Sequence, residues 1–201
     1  MKSIFLKLCI LIIVCRLSRC NSDPFHNPVY NEATIYDFIE NDPFFEILQP
    51  ESLQYTYRLR QAKDFGTRFR YLQRGVRMVL TDPEECCSSL HNSDSVYGAV
   101  ALVNRGQCSF VSKAIAAEEA GAMAVIVSDM NSENDSLFLD MVADGTERKP
   151  NIPAYFLLGR NGHMIRQTLL SQHIEEAIIN IPVNLTDVPI IKLNQPPWIV
   201  W

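Results

Sequence analysis

The sequence predicts an α/β fold, because a helix pattern lies between two short apolar strands. Residues 97–103 form an apolar run bounded by turn residues, which is typical of a strand in the interior of a sheet. Ser109 then offers a helix N-cap, and Gly121 offers a left-handed C-cap at the far end. Residues 122–127 form a second apolar run. Strand, helix and strand within about thirty residues indicate a βαβ unit, whose crossover is expected to be right-handed.

The helix of this unit has an apolar face in its sequence pattern. The positions that predict this buried face are Phe110, Ala114, Ala117 and Gly121. The charged residues Lys113, Glu118 and Glu119 are predicted to face the solvent.

Further strands and a second helix are predicted on both sides of this unit. The strand patterns cover residues 44–48, 53–59, 74–80, 152–158 and 177–183. Residues 159–162 are predicted to turn the chain into a helix over residues 163–172. Residues 195–201 contain both tryptophans, and we expect this tail to pack on its own domain; a docking strip for a partner is the alternative.

The N-terminus has the features of a signal peptide. Lys2 and Lys7 flank an apolar run over residues 8–15, which is too short to span a bilayer comfortably. Ser18 and Cys20 are small residues at the two positions that a signal peptidase reads. We therefore predict cleavage after Cys20 and secretion, with an uncleaved membrane anchor as the alternative.

Length and composition are those of one folded domain with an acidic surface. The chain has 201 residues, of which 47% are hydrophobic and 20% charged. Removing residues 1–20 takes away four basic residues and no acidic one, so the net charge falls from −5 to about −9. An acidic surface repels phosphate backbones and anionic lipids. We expect no nucleic-acid partner, and no membrane span after removal of the signal.

Three cysteines remain beyond the signal, namely Cys86, Cys87 and Cys108. In an oxidising compartment one pair is expected to form a disulfide, which for a loop of about 20 residues is worth roughly 3 kcal/mol. The third cysteine is either buried and inert or available for intermolecular pairing.

The sequence contains no known pattern of a catalytic site or of a cofactor site. The four histidines lack the spacing of a zinc hydrolase, and neither a serine-hydrolase elbow nor a phosphate-binding loop occurs. The acidic residues within 128–150 match no EF-hand spacing. We predict no catalytic residue, no cofactor and no metal. The alternative is a hydrolase or thiol enzyme with an unfamiliar site that uses Asp129, Asp140 or His163.

Two sequons predict N-glycosylation. Asn134 is followed by Asp135 and Ser136, and Asn184 is followed by Leu185 and Thr186. Both lie downstream of the predicted signal peptide and in predicted loops, where a glycan can be accommodated.

The βαβ unit closely resembles the core of the protease-associated domain in the pattern Arg105-Gly106-x-Cys108-x-Phe110-x-x-Lys113, followed by Ala120-Gly121-Ala122 and an apolar strand. The segment Ile152-Pro153-Ala154, followed by Gly162 and an apolar helix, is similar to the second half of that domain. Three segments are more specific and resemble a small secreted glycoprotein built from this domain alone: residues 62–66, 156–160 and 195–198.

The resemblance implies a single protease-associated domain: a β/β/α sandwich with the βαβ unit and flanking helices. It divides the chain into a signal peptide (1–20), an N-terminal lead-in with the first strands (21–69), the domain core (70–185) and an extended C-terminal tail (186–201). It also pairs Cys87 with Cys108, which leaves Cys86 as the extra thiol, and it matches both sequons.

The resemblance also implies a function, because this domain is thought to bind peptides or proteins. We expect a secreted, N-glycosylated, non-catalytic interaction module whose partner is an unidentified secreted or luminal peptide or protein. A membrane-tethered accessory subunit is the alternative if the signal is not cleaved.

Overall fold

The strands of the chain form a single sheet in the computed structural model, which describes residues 42–185 and 188–199. Its eight strands are β1 (Phe44–Gln49), β2 (Thr56–Arg58), β3 (Arg60–Gln61), β4 (Gln73–Leu80), β5 (Val100–Asn104), β6 (Ala124–Ser128), β7 (Ala154–Leu157) and β8 (Glu176–Val183). The helices of the described residues are α1 (Ser93–Val96), α2 (Phe110–Glu119) and α3 (Gly159–Ser171), with 3₁₀ turns at Glu51–Leu53 and Ile190–Lys192. The predicted signal peptide and Thr186 lie outside the described residues. In the part described, we find no helix with the length and apolar character needed to cross a membrane.

The sheet is mixed and strongly curled. Its strand order is β2-β1-β8-β4-β5-β6-β7-β3, in which β4 to β7 run parallel and the remaining neighbours pair antiparallel. β2 and β3 occupy opposite edges although only Leu59 separates them, so the two edges lie within about 7 Å of each other along the chain. The sheet is therefore nearly closed into a barrel. This single curled sheet confirms a mixed α/β fold, but it does not confirm the sandwich that the resemblance implies.

The central strands β5 and β6 are buried on both faces. One face packs against α2, in a cluster that includes Val79, Ala101, Val103, Val111, Ala114, Ala117, Val125, Val127 and Phe156. The other face packs against α3, in a cluster that includes Phe45, Tyr57, Met78, Leu102, Ile126, Leu157, Ile165, Leu169 and Ile179. Burial on both faces explains why these strands appear in the sequence as continuous apolar runs rather than as alternating patterns.

The helix predicted within the βαβ unit is confirmed, with a correction at Lys113. Ser109 caps α2, because its Oγ accepts a hydrogen bond from the N–H of Ser112 at 3.1 Å, and Gly121 after the helix has φ +79°. Lys113 was predicted to face solvent, but its side chain is completely buried. Its Nζ donates to the carbonyl oxygen of Glu85 at 2.6 Å, so the polar end of the side chain is satisfied inside the protein.

The turn predicted at residues 159–162 is wrong, because these residues form the first turn of α3. A Cβ added at Gly159 would lie 1.9 Å from the carbonyl oxygen of Asn131, and one added at Gly162 would lie 1.8 Å from Oγ of Ser128. The two glycines therefore let the helix approach the end of β6 closely. Their presence indicated close packing rather than a chain reversal.

The C-terminal tail packs on its own domain as far as Ile199, as the sequence predicts. Nε1 of Trp198 donates a hydrogen bond to Oδ1 of Asn161 at 2.9 Å, and its ring meets Tyr55 edge to face with 5.4 Å between ring centroids. Ile199 is buried. The tail thus covers the beginning of α3.

Replacing Trp198 with phenylalanine is expected to lower the free energy of unfolding by about 1–2 kcal/mol, because the Oδ1 acceptor of the buried Asn161 loses its donor. Urea unfolding followed by circular dichroism measures the loss. The control is Ile191→Ala, at a residue that is 89% exposed, which should change stability by no more than about 0.5 kcal/mol. If both variants unfold at the same urea concentration, this hydrogen bond does not anchor the tail.

Several acidic residues of the 128–150 segment pair with arginines. The pairs are Glu133 with Arg160 at 3.7 Å, Asp140 with Arg60 at 3.7 Å, and Asp144 with Arg148 at 2.7 Å. Hydrogen bonds from Ser109 and Thr146 hold the pKa of Asp144 well below its usual value, which ties this loop to the start of α2. Within the described ranges, no group of three or more His, Cys, Asp and Glu residues is placed to hold a metal ion.

Candidate functional site

A small polar cavity lies where β5 and β6 end and α3 begins. Its volume is about 70 Å³, and its walls include Asn104, Ser128, Asp129, Ser132, His163 and Arg166. The carboxyl ends of the neighbouring parallel strands β5 and β6 lie side by side at this edge of the sheet. We call this feature the strand-end cavity.

The carboxylate of Asp129 in the strand-end cavity accepts three hydrogen bonds. Its carboxylate is 7% exposed and accepts hydrogen bonds from Nη1 of Arg105 at 2.9 Å, from Nδ2 of Asn134 at 2.7 Å and from the N–H of Met130 at 2.9 Å. Asp129 thus joins the turn before α2 to the loop after β6. Its role in this arrangement is to hold the cavity wall together.

Arg166 brings a buried positive charge to the same cavity. Its side chain is 13% exposed, and Nη1 lies 3.6 Å from Oε1 of Glu84. Nη2 is buried and has no hydrogen-bond partner among the described residues. Burial lowers the pKa of Arg166, while the carboxylates of Glu84 and Glu85 raise it. Arginine keeps its charge in proteins, so this buried Nη2 is a donor that lacks an acceptor among the described residues.

Glu84 connects Arg166 to β5. Its Oε2 accepts a hydrogen bond from Nδ2 of Asn104 at 2.7 Å, and its backbone oxygen accepts one from the N–H of Asn104 at 2.8 Å. The loop after β4 is therefore fixed to the end of β5. Glu84 in this fixed loop pairs with Nη1 of Arg166 and leaves Nη2 without an acceptor among the described residues.

Of the three residues that the sequence offered for an enzymatic alternative, two line the strand-end cavity, and no hydrogen bond joins them in the described part of the chain. Asp129 and His163 both line it, whereas Asp140 forms an ion pair with Arg60 elsewhere. None of the described residues hydrogen-bonds the imidazole of His163, and the hydroxyl of Ser128 donates to the backbone oxygen of Asp129 at 3.3 Å. The hydrogen bond between nucleophile and base that an activated serine requires is not made here.

Two exposed apolar side chains belong to the loop that follows β6. Met130 lines the strand-end cavity and is 70% exposed, and Leu137, later in the same loop, is 65% exposed. Leu137 is held beside the wall by Asn134, whose Oδ1 accepts from the N–H of Leu137 at 2.9 Å. Exposed apolar side chains around a polar cavity are typical of a surface that binds another polypeptide.

A wider, open depression of about 540 Å³ lies between β4 and the end of α3. Two of its charged groups already pair: Nη1 of Arg77 lies 3.3 Å from Oε2 of Glu176, and Nη2 of Arg77 donates to the backbone oxygen of Tyr97 at 2.7 Å. The arginine of this depression is therefore already engaged.

The Cys87–Cys108 disulfide that the resemblance implied is present. It links the loop after β4 to the turn before α2. Cys86 is a free thiol with 0% exposure, and burial raises its pKa to about 11. Of the two states that the sequence left open for the third cysteine, the structure shows the buried one.

The two predicted glycosylation sites differ in accessibility. Asn134 is 8% exposed, and its Nδ2 donates to Asp129 and to the backbone oxygen of Leu137 at 2.8 Å. Asn184 is exposed at the end of β8. Glycosylation of both residues stays a prediction.

Arg166 and Asn104 did not stand out in the sequence, although a signal was present. Polar residues directly follow two buried strands, namely Asn104 at the end of β5 and Ser128 with Asp129 at the end of β6. Because both strands are parallel, their carboxyl ends meet at the same edge. Arg166 gave no such signal, since it lies on the half-buried side of α3 and its partner Glu84 is remote in sequence.

The described residues form a single mixed α/β domain. Its sheet is curled, its βαβ unit is cross-linked by a disulfide at the entry to α2, and the strand-end cavity lies at the end of β5 and β6. The model of the PA domain family matches residues 75–165. A PRADC1-like protein of Drosophila melanogaster is 48% identical over 170 residues, which cover 84% of this chain and 87% of that protein. The chain belongs to the PA domain family.

Other similarities cover only parts of longer proteins. ER degradation-enhancing alpha-mannosidase-like protein 3 of Homo sapiens is 31% identical over 118 residues, which are 57% of this chain and 13% of that protein. Among solved structures, a zinc aminopeptidase from Bacillus subtilis aligns with a TM-score of 0.47 and 17% identity over 72% of this chain. The chain spans about a third of that aminopeptidase, since the alignment covers 32% of it.

Proposed function

We propose that this chain is a secreted, N-glycosylated, non-catalytic interaction module that binds a peptide or protein through the strand-end cavity. The observation that carries this proposal is the buried Nη2 of Arg166, which has no acceptor among the described residues. A buried donor without a partner costs about 1–3 kcal/mol, and an acceptor supplied by a ligand recovers that free energy.

The dimensions of the strand-end cavity limit the group that it accepts. A volume of about 70 Å³ holds roughly two water molecules, which is room for a carboxylate but not for a large side chain. Arginine donates to carboxylates with charge-assisted hydrogen bonds. The partner therefore presents a carboxylate to Arg166, either from an acidic side chain or from its C-terminus. Its apolar residues lie on Met130 and Leu137.

The non-catalytic part of the proposal is supported by how the polar groups are already used. The carboxylate of Asp129 is occupied by three donors, and the hydroxyl of Ser128 is directed to a backbone oxygen. A general base needs a hydrogen bond to the group that it deprotonates. We propose that these residues shape a binding wall and do not act on the bound group.

Secretion and glycosylation are supported by the sequence and by the disulfide. The Cys87–Cys108 bond suits an oxidising compartment, which a chain with the predicted signal peptide reaches. Asn184 is the sequon that the folded domain leaves exposed, so we propose it as the principal glycan site. We propose Asn134 as the second site, where a glycan would replace one of the two Nδ2 hydrogens that donate to Asp129 and Leu137.

The test compares partner capture by three forms of the protein purified from conditioned medium: the native chain, Arg166→Gln, and Arg70→Gln at an exposed arginine as a matched control. Loss of a charge-assisted hydrogen bond, worth about 1.5–3 kcal/mol, should weaken a captured partner roughly 10- to 100-fold in Arg166→Gln. Quantitative mass spectrometry after crosslinking gives the ratios, and calorimetry on the captured partner gives the affinities.

Equal capture by the native chain and Arg166→Gln would reject the strand-end cavity as the binding site. Turnover of a substrate by the native chain that Asp129→Asn or His163→Ala abolishes would reject the non-catalytic part of the proposal. Folding of each variant is checked by circular dichroism before capture.

A further inference from the structure

A buried lysine contacts the only disulfide of the described residues. Lys113 extends from the first turn of α2, and its Nζ lies 3.5 Å from Sγ of Cys87 as well as 2.6 Å from the carbonyl oxygen of Glu85. The lysine side chain is completely buried, whereas Cys87 is exposed to solvent. A positive charge inside the protein thus lies next to a disulfide whose Cys87 is exposed and whose Cys108 is half-buried.

This arrangement favours the reduced state of Cys87. A cation next to a cysteine stabilises the thiolate over the thiol. In the disulfide both sulfurs are uncharged, and the ammonium of Lys113 has the backbone oxygen of Glu85 as its nearest acceptor. Reduction would give the ammonium an anionic partner. Burial lowers the pKa of Lys113, whereas Cys86 and Glu85 raise it, and a thiolate at Cys87 would raise it further.

We infer that the Cys87–Cys108 disulfide is a thiol–disulfide exchange site for a low-molecular-weight thiol such as glutathione. The thiolate of the small molecule attacks Sγ of Cys108, a mixed disulfide with Cys108 forms, and Cys87 leaves as a thiolate paired with the ammonium of Lys113. The thiolate of a second small molecule then attacks the sulfur of the first small molecule in the mixed disulfide. Cys108 is released as a thiolate and takes up one proton. One disulfide of the small molecule is formed, and the protein disulfide is reduced by two electrons.

Cys87 is the leaving group because of its surroundings. In thiol–disulfide exchange the sulfur that forms the more stable thiolate leaves faster, and the donor Nζ of Lys113 lies at Cys87. Cys86 takes no part, although it is adjacent in sequence. Its Sγ donates to the backbone oxygen of Lys113 at 3.5 Å, and its burial and raised pKa keep it as a thiol. The reductant therefore has to come from solution.

The first experiment equilibrates the full chain with glutathione buffers at pH 7, in a Cys86→Ala background that leaves one cysteine pair in the domain. Free thiols are trapped with a maleimide after an acid quench and counted by mass spectrometry. The Lys113→Met variant should need a roughly tenfold more reducing buffer for half-reduction, because at pH 7 a tenfold shift corresponds to a Cys87 thiolate whose pKa is about 6, roughly 2.5 units below that of a free cysteine. The matched control is Lys63→Met, whose lysine is exposed and lies 4.0 Å from Asp140. It should behave as the parent.

A second measurement does not depend on the Lys113 variant. In the reduced parent, the alkylation rate of Cys87 is measured against pH, and its midpoint should lie about 2.5 units below the value of about 8.5 for a free cysteine. A midpoint at or above 8.5, or half-reduction of Lys113→Met at the same buffer ratio as the parent, would overturn the inference. If Lys113→Met does not fold, the alkylation profile decides alone.

Discussion

Replacing Asp129 with alanine should lower the free energy of unfolding by about 2–4 kcal/mol. The carboxylate is 7% exposed and is the shared acceptor for Arg105, Asn134 and the N–H of Met130. Alanine leaves the buried amide of Asn134 without one of its two acceptors and the guanidinium of Arg105 without its counter-ion. Buried donors that lose their acceptors cost about 1–3 kcal/mol each, and the partial exposure of Arg105 reduces its share.

The measurement is guanidinium unfolding of Asp129→Ala against the parent, with Asp140→Ala as the matched control. Asp140 also pairs with an arginine, but its carboxylate is 56% exposed and lies 3.7 Å from Arg60, so its loss should cost no more than about 0.5 kcal/mol. A cost below about 1 kcal/mol for Asp129→Ala would show that the three hydrogen bonds do not hold the cavity wall. A changed denaturant slope would point to an altered denatured state instead.

The parts of the fold that local sequence determines were predicted from the sequence. The N-cap at Ser109 and the left-handed residue at Gly121 depend on backbone geometry within a few residues, and both are confirmed. Burial of β5 and β6 on both faces follows from their continuous apolar runs. The disulfide partner of Cys108 came from family resemblance, because spacing alone left more than one pairing open.

The errors arose where a distant segment decides the environment of a residue. Lys113 has charged neighbours on its helix and was placed outside, but its acceptors belong to the Glu85–Cys87 loop, almost thirty residues earlier in the chain. Residues 159–162 contain two glycines and were predicted as a turn, but the surface that requires glycine is the end of β6. The curl of the sheet also could not be predicted, because it depends on β2 and β3 joining opposite edges.

The strand-end cavity was missed for a related reason. Its walls come from the end of β5, the loop after β6 and the first turns of α3, and no short pattern contains them. Asp129 and His163 were both named as possible catalytic residues, and the structure does place them at one site. Asp129, however, is held by three donors, whereas the donor without an acceptor is Nη2 of Arg166. Residue types alone could not distinguish these roles.

Replacing Gly159 with alanine should lower the free energy of unfolding by about 2 kcal/mol or more. The new Cβ would lie 1.9 Å from the carbonyl oxygen of Asn131 and 3.1 Å from that of Asp129, and both are backbone atoms that no side-chain rotation can move away. Either the start of α3 or the loop after β6 must shift. Overpacking of this kind costs about 1–3 kcal/mol and occasionally more, which exceeds the gain of about 1 kcal/mol from replacing glycine by alanine in a helix.

The matched control is Gly145→Ala, because Gly145 has φ +77° and nothing within 4 Å of its added Cβ. The loss of stability in Gly145→Ala measures only the backbone cost of a non-glycine residue in the left-handed region, about 1–2 kcal/mol, because no atom lies near the added Cβ. Gly159→Ala should be the more destabilising variant, and it should also weaken any partner that binds the strand-end cavity, since the same shift moves Asp129 and Arg166 apart. If Gly159→Ala costs no more than Gly145→Ala, the close approach of α3 to β6 is not required for stability.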